Sequence, residues 1–194
     1  GGRSEGARIK TTPLKVLWLT PLRALAADIC QALREPVSHF ELDWSVETRT
    51  GDTPASARAR QQKQLPTVLI TTPESLSLLL SYAGAQKKFR SLDAIIVDEW
   101  HELMGSKRGV LAQLAIARLQ GWCPQFRMWG LSATLGNTNT AMQVLLGDQA
   151  ATIPVHSPLL KGKRVLVFET DGQSMELHIR ALEELGMQAV TASS

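Results

Sequence analysis

Short apolar runs alternate with segments of helical periodicity along most of the chain. The runs at residues 14–20, 67–71, 92–98 and 126–131 predict buried strands, and the alternating segment at 43–49 predicts a strand that leads into a turn. Between them, apolar residues at helical spacing or polar stretches behind a proline predict helices, at residues 22–35, 55–65, 73–81, about 109–120 and 137–146.

This alternation is typical of the α/β class. Parallel strands need a crossover connection, and helices in those connections cover both faces of the sheet. The sequence therefore predicts a mostly parallel sheet between two layers of helices. Two local features are also expected: Pro36 should end the first helix, and residues 82–91 should form a basic loop.

The two ends of the chain differ in pattern from its middle. Residues 1–13 are rich in Gly, Arg and Thr, which predicts a flexible N-terminal segment. Residues 158–194 carry a strand-like run at 161–170 and a helical pattern at 174–187, so we interpret them as a strand–helix tail, a linker or the start of a second domain. Residues 14–157 then form the main body.

Composition narrows the function classes only a little. The 194 residues carry a net charge of +3, and 44% of them are hydrophobic, enough for a sizeable core. The mild basic excess does not by itself identify a nucleic-acid-binding protein. Two cysteines, Cys30 and Cys123, are too few for a disulfide framework or a zinc cluster. Because there is no apolar run of about 18 residues and no visible signal peptide, we expect a cytoplasmic protein without a membrane span.

Polar side chains follow the main predicted strands. Because ligands bind beyond the carboxyl ends of parallel strands, these positions are candidates for a functional site. They are Thr20, Pro21 and Arg23 after the first strand, Thr72, Pro73 and Glu74 after the run at 67–71, Asp98, Glu99 and His101 after the run at 92–98, and Ser132 and Thr134 after the run at 126–131.

The adjacent carboxylates of Asp98 and Glu99 are the strongest chemical signal. Two acids at the end of a buried strand are costly unless something pairs them, and a hydrated Mg²⁺ ion with phosphates is a natural partner. One acid can hold the metal while the other orients and deprotonates a water that attacks a γ-phosphate. The alternative interpretation is an ordinary acidic cap at a helix N-terminus.

Two other enzyme classes fit poorly. A zinc protease helix needs a second His four residues after His101, and position 105 is Gly. Residues 130–134 lack the closing Gly of the nucleophile elbow found in serine hydrolases.

Five segments, taken in order, give the chain a specific resemblance. DEWH at 98–101 and SAT at 132–134 resemble motifs II and III of superfamily 2 helicases. TPLRALA at 20–26 resembles motif Ia, and RTGDT at 49–53 and TTPESL at 71–76 resemble the nucleic-acid-contacting motifs that follow it. The longer stretches DEWHELMGSKRG and WGLSATLGN are most similar to the Lhr group, and within it to the ligase-associated DEXH-box helicases of bacteria.

The resemblance, which covers roughly residues 14–157, implies a RecA-like three-layer αβα fold, the first lobe of a P-loop NTPase helicase. Asp98 would hold Mg²⁺ through its water shell, and Glu99 would be the general base for ATP hydrolysis. His101 would link the nucleotide site to the motif III region. There Ser132 and Thr134 would couple hydrolysis to nucleic-acid binding and lobe movement.

The resemblance also implies contacts along the phosphate backbone of single-stranded DNA or a DNA–RNA duplex. Hydroxyls, amides at helix N-termini and an occasional Arg hold phosphates without reading bases. The alternatives are a solvated helix residue for Arg23, a simple turn for Thr50 and Gly51, and a favourable first-turn acid for Glu74. The implied contact residues are Thr20, Pro21, Arg23, Arg49, Thr50, Gly51, Thr72, Pro73 and Glu74.

A P-loop of the form G-x-x-x-x-G-K-[ST] does not occur in the 194 residues. In the family it precedes the strand that residues 14–20 resemble, so we expect a lobe truncated at its N-terminus, with an exposed apolar edge in the sheet and no second RecA-like lobe. Without the cradle for the β- and γ-phosphates, the chain alone is expected not to hydrolyse ATP.

The partners follow from the same resemblance. The parent helicase would bind ATP and nucleic acid and would contain a second lobe. The family's name and its neighbouring genes imply DNA repair with a DNA ligase and a nuclease. The alternative function is a non-catalytic module, derived from a helicase lobe, that binds single-stranded nucleic acid without sequence preference.

Overall fold

The computed structural model describes residues 12–132 and three further strands, at 153–156, 164–167 and 188–189. The predicted helices at 137–146 and 174–187 lie outside the described residues. The elements are β1 (Val16–Leu19), α1 (Arg23–His39), β2 (Val46–Arg49), α2 (Ala55–Lys63), β3 (Val68–Thr71), α3 (Pro73–Ser81), α4 (Ala85–Phe89), β4 (Ala94–Val97), α5 (Trp100–Leu103), α6 (Lys107–Trp122), β5 (Arg127–Ser132), β6 (Ile153–His156), β7 (Arg164–Val167) and β8 (Gln188–Ala189).

The described strands join one sheet, in the order β2-β3-β1-β4-β5-β7-β6-β8. The strands from β2 to β5 in this order are mutually parallel, which confirms the predicted α/β class. β7, β6 and β8 extend the sheet in antiparallel pairing. We expected an exposed apolar edge in the parallel part. At β5 this expectation is wrong, because β7 pairs with that edge.

Two apolar clusters lie on opposite faces of the sheet. Leu17 and Leu19 of β1 belong to the larger cluster, which α3, α4, α5 and α6 cover. Val16 and Trp18, which alternate with them along the strand, pack into the smaller cluster against α1. Full burial of one such Leu side chain contributes about 2 kcal/mol. The result is a three-layer αβα arrangement, as the sequence predicted.

Helix α1 continues past the proline that was expected to end it. Pro36 lies inside the helix, which runs to His39. A proline lacks one hydrogen-bond donor, but the following turn is held by bonds such as Phe40 N–H to the Pro36 carbonyl, at 2.9 Å. Val37 then packs against the smaller apolar cluster. Tertiary packing of this last turn therefore outweighs the local signal of the proline.

The expected basic loop at 82–91 contains a short helix, α4. Its last residue, Phe89, is only 1% exposed and belongs to the larger apolar cluster. Gly84, with φ 76°, precedes the helix in the left-handed conformation that glycine adopts without strain. The prediction of a plain loop is wrong. The basic residues around Phe89 gave the segment a polar pattern, although Phe89 itself packs into the core.

One close contact positions α6 behind the short helix α5. Ser106 caps α6 by accepting a hydrogen bond from Gly109 N–H, at 3.1 Å. Gly109 lies against the Leu103 carbonyl, and a Cβ atom built on it would be 1.9 Å from that oxygen. Only glycine therefore allows α6 to begin this close to α5.

No helix in the described part of the chain combines the length and apolar character that crossing a bilayer requires.

Candidate functional site at the carboxyl edge of the sheet

The neighbouring strands β2, β3, β1 and β4 end at the same level. Their last residues, Arg49, Thr71, Leu19 and Val97, are paired in register. The next residue of each strand therefore lies in one row across the sheet, at the roughly 4.8 Å spacing of adjacent strands. We call this row the carboxyl edge, and its members in order are Thr50, Thr72, Thr20 and Asp98.

The Asp98 carboxylate is buried at 7% exposure and is held from two sides. Its Oδ1 accepts a hydrogen bond from Glu99 N–H at 2.9 Å, and its Oδ2 accepts one from the Trp18 indole N–H at 3.4 Å. These donors fix the plane of the carboxylate. Trp18 was not predicted as a site residue, and only its place on β1, next to β4, could have indicated it.

Glu99 adopts a backbone conformation that is uncommon for a non-glycine residue. Its φ and ψ are both 46°, in the left-handed region, which costs about 1–3 kcal/mol and persists only where the surroundings enforce it. Glu99 stands at the N-cap position of α5, yet its side chain makes no capping hydrogen bond. The alternative interpretation of an ordinary acidic cap therefore does not describe this residue.

His101 lies between two carboxylates. Its Nδ1 is 3.4 Å from Glu99 Oε2, and its Nε2 is 3.4 Å from Glu102 Oε1. The Glu99 and His101 side chains are 15% and 26% exposed, so they retain access to solvent while being partly shielded. An imidazole in this position can orient the Glu99 carboxylate.

The carboxylate oxygens of Asp98 fit a magnesium ion that is held through its water shell. Carboxylate oxygens are the ligands that Mg²⁺ prefers, usually one or two per ion with waters and phosphates completing the shell. A carboxylate oxygen is also a suitable acceptor for a hydrogen bond from a metal-bound water. Within the described residues, no group of three or more His, Cys, Asp or Glu side chains could hold a metal by itself.

Thr20 and Thr72 are the two middle residues of the carboxyl edge, and both are buried. In the described part of the chain the buried Thr20 Oγ1 has no hydrogen-bond partner. Such a buried polar atom is uncommon and costs stability. Thr72 caps α3, where its Oγ1 accepts a hydrogen bond from Ser75 N–H at 3.5 Å, and Pro73 occupies the first helical turn.

The turn after β2 lies against the first turn of α1. Arg23 pairs with Asp52 at 2.9 Å, and both side chains are more than half exposed. Gly51 makes this possible, since a Cβ atom there would come 3.2 Å from the Arg23 guanidinium. Thr50 N–H donates to Thr53 Oγ1 at 2.9 Å, so this segment is a structured turn. The structure thus brings Arg23 next to the turn at residues 49–53, which begins 26 positions later in the sequence.

Arg49 is buried beneath this turn. It is 3% exposed, and its Nη1 donates to the Arg58 carbonyl at 3.1 Å and to Gln61 Oε1 at 3.3 Å. Burial is the main cause that lowers the pKa of the Arg49 guanidinium below its ordinary value, and Tyr82 counteracts it. The Arg49 side chain is therefore buried inside the protein. A direct contact between Arg49 and nucleic acid stays a prediction.

Helix α2 holds the turn from the other side. Arg58 donates from Nε to the Thr53 carbonyl at 2.7 Å and from Nη2 to the Gly51 carbonyl. Gln61, 1% exposed, donates to Glu47 Oε2 at 2.8 Å. The sequence predicted α2 only as a polar helix behind a proline, because nothing in its composition separates the residues that face the turn from those that face solvent.

Glu74, in the first turn of α3, pairs with Arg108, in the first turn of α6. Arg108 donates from Nε to Oε1 and from Nη2 to Oε2, the latter at 3.1 Å. These bonds are the largest cause that lowers the pKa of the Glu74 carboxyl, so the group is negatively charged at neutral pH. Arg108 was not predicted individually, although it lies within the segment DEWHELMGSKRG.

The structure collects most, but not all, of the predicted site residues. The carboxyl edge and its flanks contain Thr20, Pro21, Arg23, Thr50, Gly51, Thr72, Pro73, Glu74, Asp98, Glu99 and His101, and Arg49 lies beneath them. Ser132 ends β5, but its side chain and all of Thr134 lie outside the described residues. Their assigned roles stay predictions.

Comparisons with known proteins find similarity to helicases. A model of the DEAD/DEAH box helicase family matches residues 7–142. The Lhr helicase/uracil glycosylase of Escherichia coli (strain K12) is 32% identical over 178 residues, which cover 86% of this chain and 11% of that protein. The ATP-dependent helicase Lhr-Core of Methanothermobacter thermautotrophicus is 38% identical over 140 residues, 68% of this chain and 16% of that protein.

Solved structures of helicases share the fold. The structure of Mycobacterium smegmatis helicase Lhr bound to ssDNA and AMP-PNP matches with a TM-score of 0.64 and 34% identity, over 72% of this chain and 19% of that one. The DUF1998 helicase MrfA bound to DNA and AMPPNP matches with a TM-score of 0.61 and 26% identity, over 69% of this chain and 19% of that one. The chain thus spans only 11% and 16% of the two relatives named above.

Proposed function

Since the chain belongs to the DEAD/DEAH box helicase family and is homologous to Lhr-type ATP-dependent helicases, we propose that it supplies two functions of a helicase lobe. The first is a surface that holds the phosphate backbone of a single-stranded nucleic acid. The second is the pair of carboxylates for ATP hydrolysis. The observation that carries the proposal is the carboxyl edge, where the buried residues Thr50, Thr72 and Thr20 lie in one row with Asp98 because the strands before them are paired in register.

The nucleic-acid surface comprises β2, β3 and β1 with the turns that follow them. Hydroxyls and the Arg23 guanidinium suit phosphate oxygens and carry no base specificity. Thr20 adds a buried hydroxyl that no described group satisfies. The similarity to an Lhr structure bound to ssDNA supports single-stranded DNA as the substrate class.

The nucleotide part of the proposal rests on Asp98, Glu99 and His101. A bound Mg²⁺ would offset the negative charge of the β- and γ-phosphates. Asp98, whose carboxylate plane is fixed by Trp18 and by Glu99 N–H, would accept hydrogen bonds from the waters of that ion. Glu99 would accept the proton of the attacking water as the general base, and His101, 3.4 Å away, would orient it.

The chain by itself is proposed to bind nucleic acid without turning over ATP. No P-loop sequence lies within its 194 residues, and the phosphate cradle of such enzymes includes the P-loop amides and lysine. Loss of one well-placed donor already costs about 10²–10³ in rate. We therefore expect phosphate release from ATP at the background rate, with or without oligo(dT). Robust release that Glu99→Gln abolishes would contradict this expectation.

Binding of single-stranded DNA tests the first function directly. We expect fluorescence anisotropy with labelled oligo(dT) to show binding that weakens as salt rises, because phosphate contacts release counterions. Arg23→Gln should weaken this binding about five-fold, the effect of one unit charge close to a phosphate in water. Asp52, its ion-pair partner, remains in this variant and adds to the loss.

Arg34→Gln is the matched control for this experiment. Arg34 is exposed on the same helix, 11 residues from Arg23 and therefore about 16 Å further along its axis. The substitution removes the same charge away from the carboxyl edge, so binding should change less than about two-fold at about 0.1 M salt, where the Debye length is about 10 Å. Equal losses for both variants, or binding independent of salt, would refute the proposed surface.

The resemblance to the ligase-associated group extends the proposal to DNA repair, with a DNA ligase and a nuclease as partners and a second RecA-like lobe completing the motor. A strain that lacks the gene should be more sensitive to DNA-damaging agents, and unchanged survival would count against this role.

A further inference from the structure

Arg23 and Asp52 form an ion pair between the start of α1 and the turn that follows β2. Arg23 is the first residue of α1, and its Nη1 lies 2.9 Å from Asp52 Oδ1. The two side chains are 61% and 69% exposed, so the pair lies at the surface. The pair therefore brings a carboxylate to the exposed arginine of the proposed nucleic-acid surface.

The backbone of Asp52 is held in place by its own turn. Its N–H donates to Thr50 Oγ1 at 3.3 Å, and Thr50 N–H donates to Thr53 Oγ1 at 2.9 Å. From the side of α2, Arg58 donates hydrogen bonds to the carbonyl groups of Gly51 and Thr53. The fold of the turn therefore places the Asp52 carboxylate at the start of α1.

The ion pair uses only part of the hydrogen-bonding capacity of Arg23. Among the described residues, its guanidinium makes one hydrogen bond, to Asp52. A guanidinium has five N–H donors in a planar fork, which can bind two oxygens of a phosphate at once. An exposed ion pair contributes at most about 1 kcal/mol, so a phosphate that forms two such bonds can displace the carboxylate.

A second feature of the connection between β1 and α1 indicates a ligand there. Thr20, three residues before Arg23, is fully buried, and its Oγ1 has no hydrogen-bond partner in the described part of the chain. A buried hydroxyl without a partner costs stability and is uncommon in folded proteins. This short connection therefore carries an unsatisfied hydroxyl as well as a cation whose partner is a single exposed carboxylate.

We propose that Asp52 competes with the nucleic-acid backbone for Arg23. In the free chain the carboxylate holds the guanidinium, and on binding a phosphate of the single strand takes its place. Asp52 thereby limits the affinity of the surface. This inference rests on the proposed binding of single-stranded nucleic acid. It is the opposite of a positioning role, in which Asp52 would orient Arg23 toward the phosphate and its removal would weaken binding.

A double-substitution cycle on the whole chain measures this competition. With labelled oligo(dT) at about 0.1 M salt, D52N should strengthen binding about five-fold, because it removes the competitor for Arg23 together with a charge that repels phosphate. In the R23Q background no guanidinium is left to release, so D52N should change binding by at most about two-fold, through repulsion alone. The difference between the two backgrounds is the coupling that an exchange of partners produces.

Asp43→Asn is the matched control. Asp43 is exposed and precedes β2, whereas Asp52 follows it, so the length of the strand, about 13 Å, separates the two acids. D43N removes the same charge as D52N, and at a Debye length of about 10 Å it should change binding less than about two-fold. Thermal unfolding of D52N and of the original chain should agree within a few degrees, since an exposed ion pair contributes little stability.

Each other outcome overturns the inference. Weaker or unchanged binding by D52N would show that Asp52 does not compete, and weaker binding with a lower unfolding temperature would identify the pair as a structural brace. Equal strengthening by D52N in both backgrounds would show repulsion without an exchange of partners. A D43N effect as large as that of D52N would be a general effect of charge. If neither the unsubstituted chain nor D52N binds oligo(dT), the proposed function fails instead, so the two failures are distinguishable.

Discussion

Replacing Gly109 with Ala is expected to destabilise the protein by about 3 kcal/mol. The added Cβ would lie 1.9 Å from the Leu103 carbonyl oxygen and 2.8 Å from its carbon, both backbone atoms that no side-chain rotation can move. α6 must therefore shift away from α5, and Leu103, which is fully buried, must shift with it. Because α5 directly follows Glu99, the strained element adjoins the carboxylates of Asp98 and Glu99.

The same helix provides the control. Gly121, near the end of α6, has no heavy atom within 4 Å of the corresponding Cβ position. Gly121→Ala should be neutral or stabilising by up to about 1 kcal/mol, because Ala has the higher helix propensity. Urea unfolding of both variants gives the comparison. Equal stability of the two variants would contradict the close contact between α5 and α6.

Replacing Arg49 with Ala is expected to cost about 2–4 kcal/mol, since each buried group left without a partner costs about 1–3 kcal/mol. The substitution would leave the Arg58 carbonyl and Gln61 Oε1 without their described donor. It would also leave a cavity under the turn at 50–53. Loss of nucleic-acid binding in this variant would therefore report on the fold of the turn and not on a phosphate contact.

Arg60→Ala is the control for the Arg49 substitution. Arg60 belongs to the same network, but its side chain is 65% exposed and pairs with Glu47 at the surface. Such pairs contribute at most about 1 kcal/mol. Denaturant unfolding should therefore separate the two variants clearly. An Arg49→Ala variant as stable as Arg60→Ala would show that the buried network does not contribute to stability.

The main strands could be predicted from the sequence because burial on both faces of a parallel sheet produces continuous apolar runs. Each of the runs at 14–20, 67–71 and 92–98 contains one of the observed strands, and the run at 126–131 overlaps β5, which ends one residue later. Elements whose stability comes from tertiary contacts were missed. α5 is a single turn with no periodicity, α4 depends on the burial of Phe89, and the last turn of α1 continues beyond Pro36.

The candidate site was predictable where it follows a strand end. Thr20, Thr72 and Asp98 could be placed together because parallel strands end at one edge of the sheet. The side chains that hold them come from elsewhere. Arg58 reaches the turn at 50–53 from α2, and Arg108 reaches Glu74 across 34 positions. Sequence spacing cannot reveal such pairs, because they depend on how α2, α3 and α6 pack.

Arg49 shows the limit of assigning roles by residue type. Within RTGDT an arginine suggests a phosphate contact, yet its side chain is 3% exposed. Strand alternation could not have predicted that the Arg49 side chain is buried, because β2 does not alternate strictly. Its two buried residues are Val46 and Arg49.

The most direct test of the account is to map oligo(dT) on the chain by amide chemical shifts in NMR spectra. We predict that the largest shifts cluster at the carboxyl edge, at Thr20, Gly51, Thr72 and Glu74. The opposite edge provides an internal reference, where Lys15, Thr67, Asp93 and Arg127 are joined by backbone hydrogen bonds at the start of the strands. Shifts concentrated at that opposite edge, or on the basic residues of α4, would contradict the assignment of the carboxyl edge as the nucleic-acid surface.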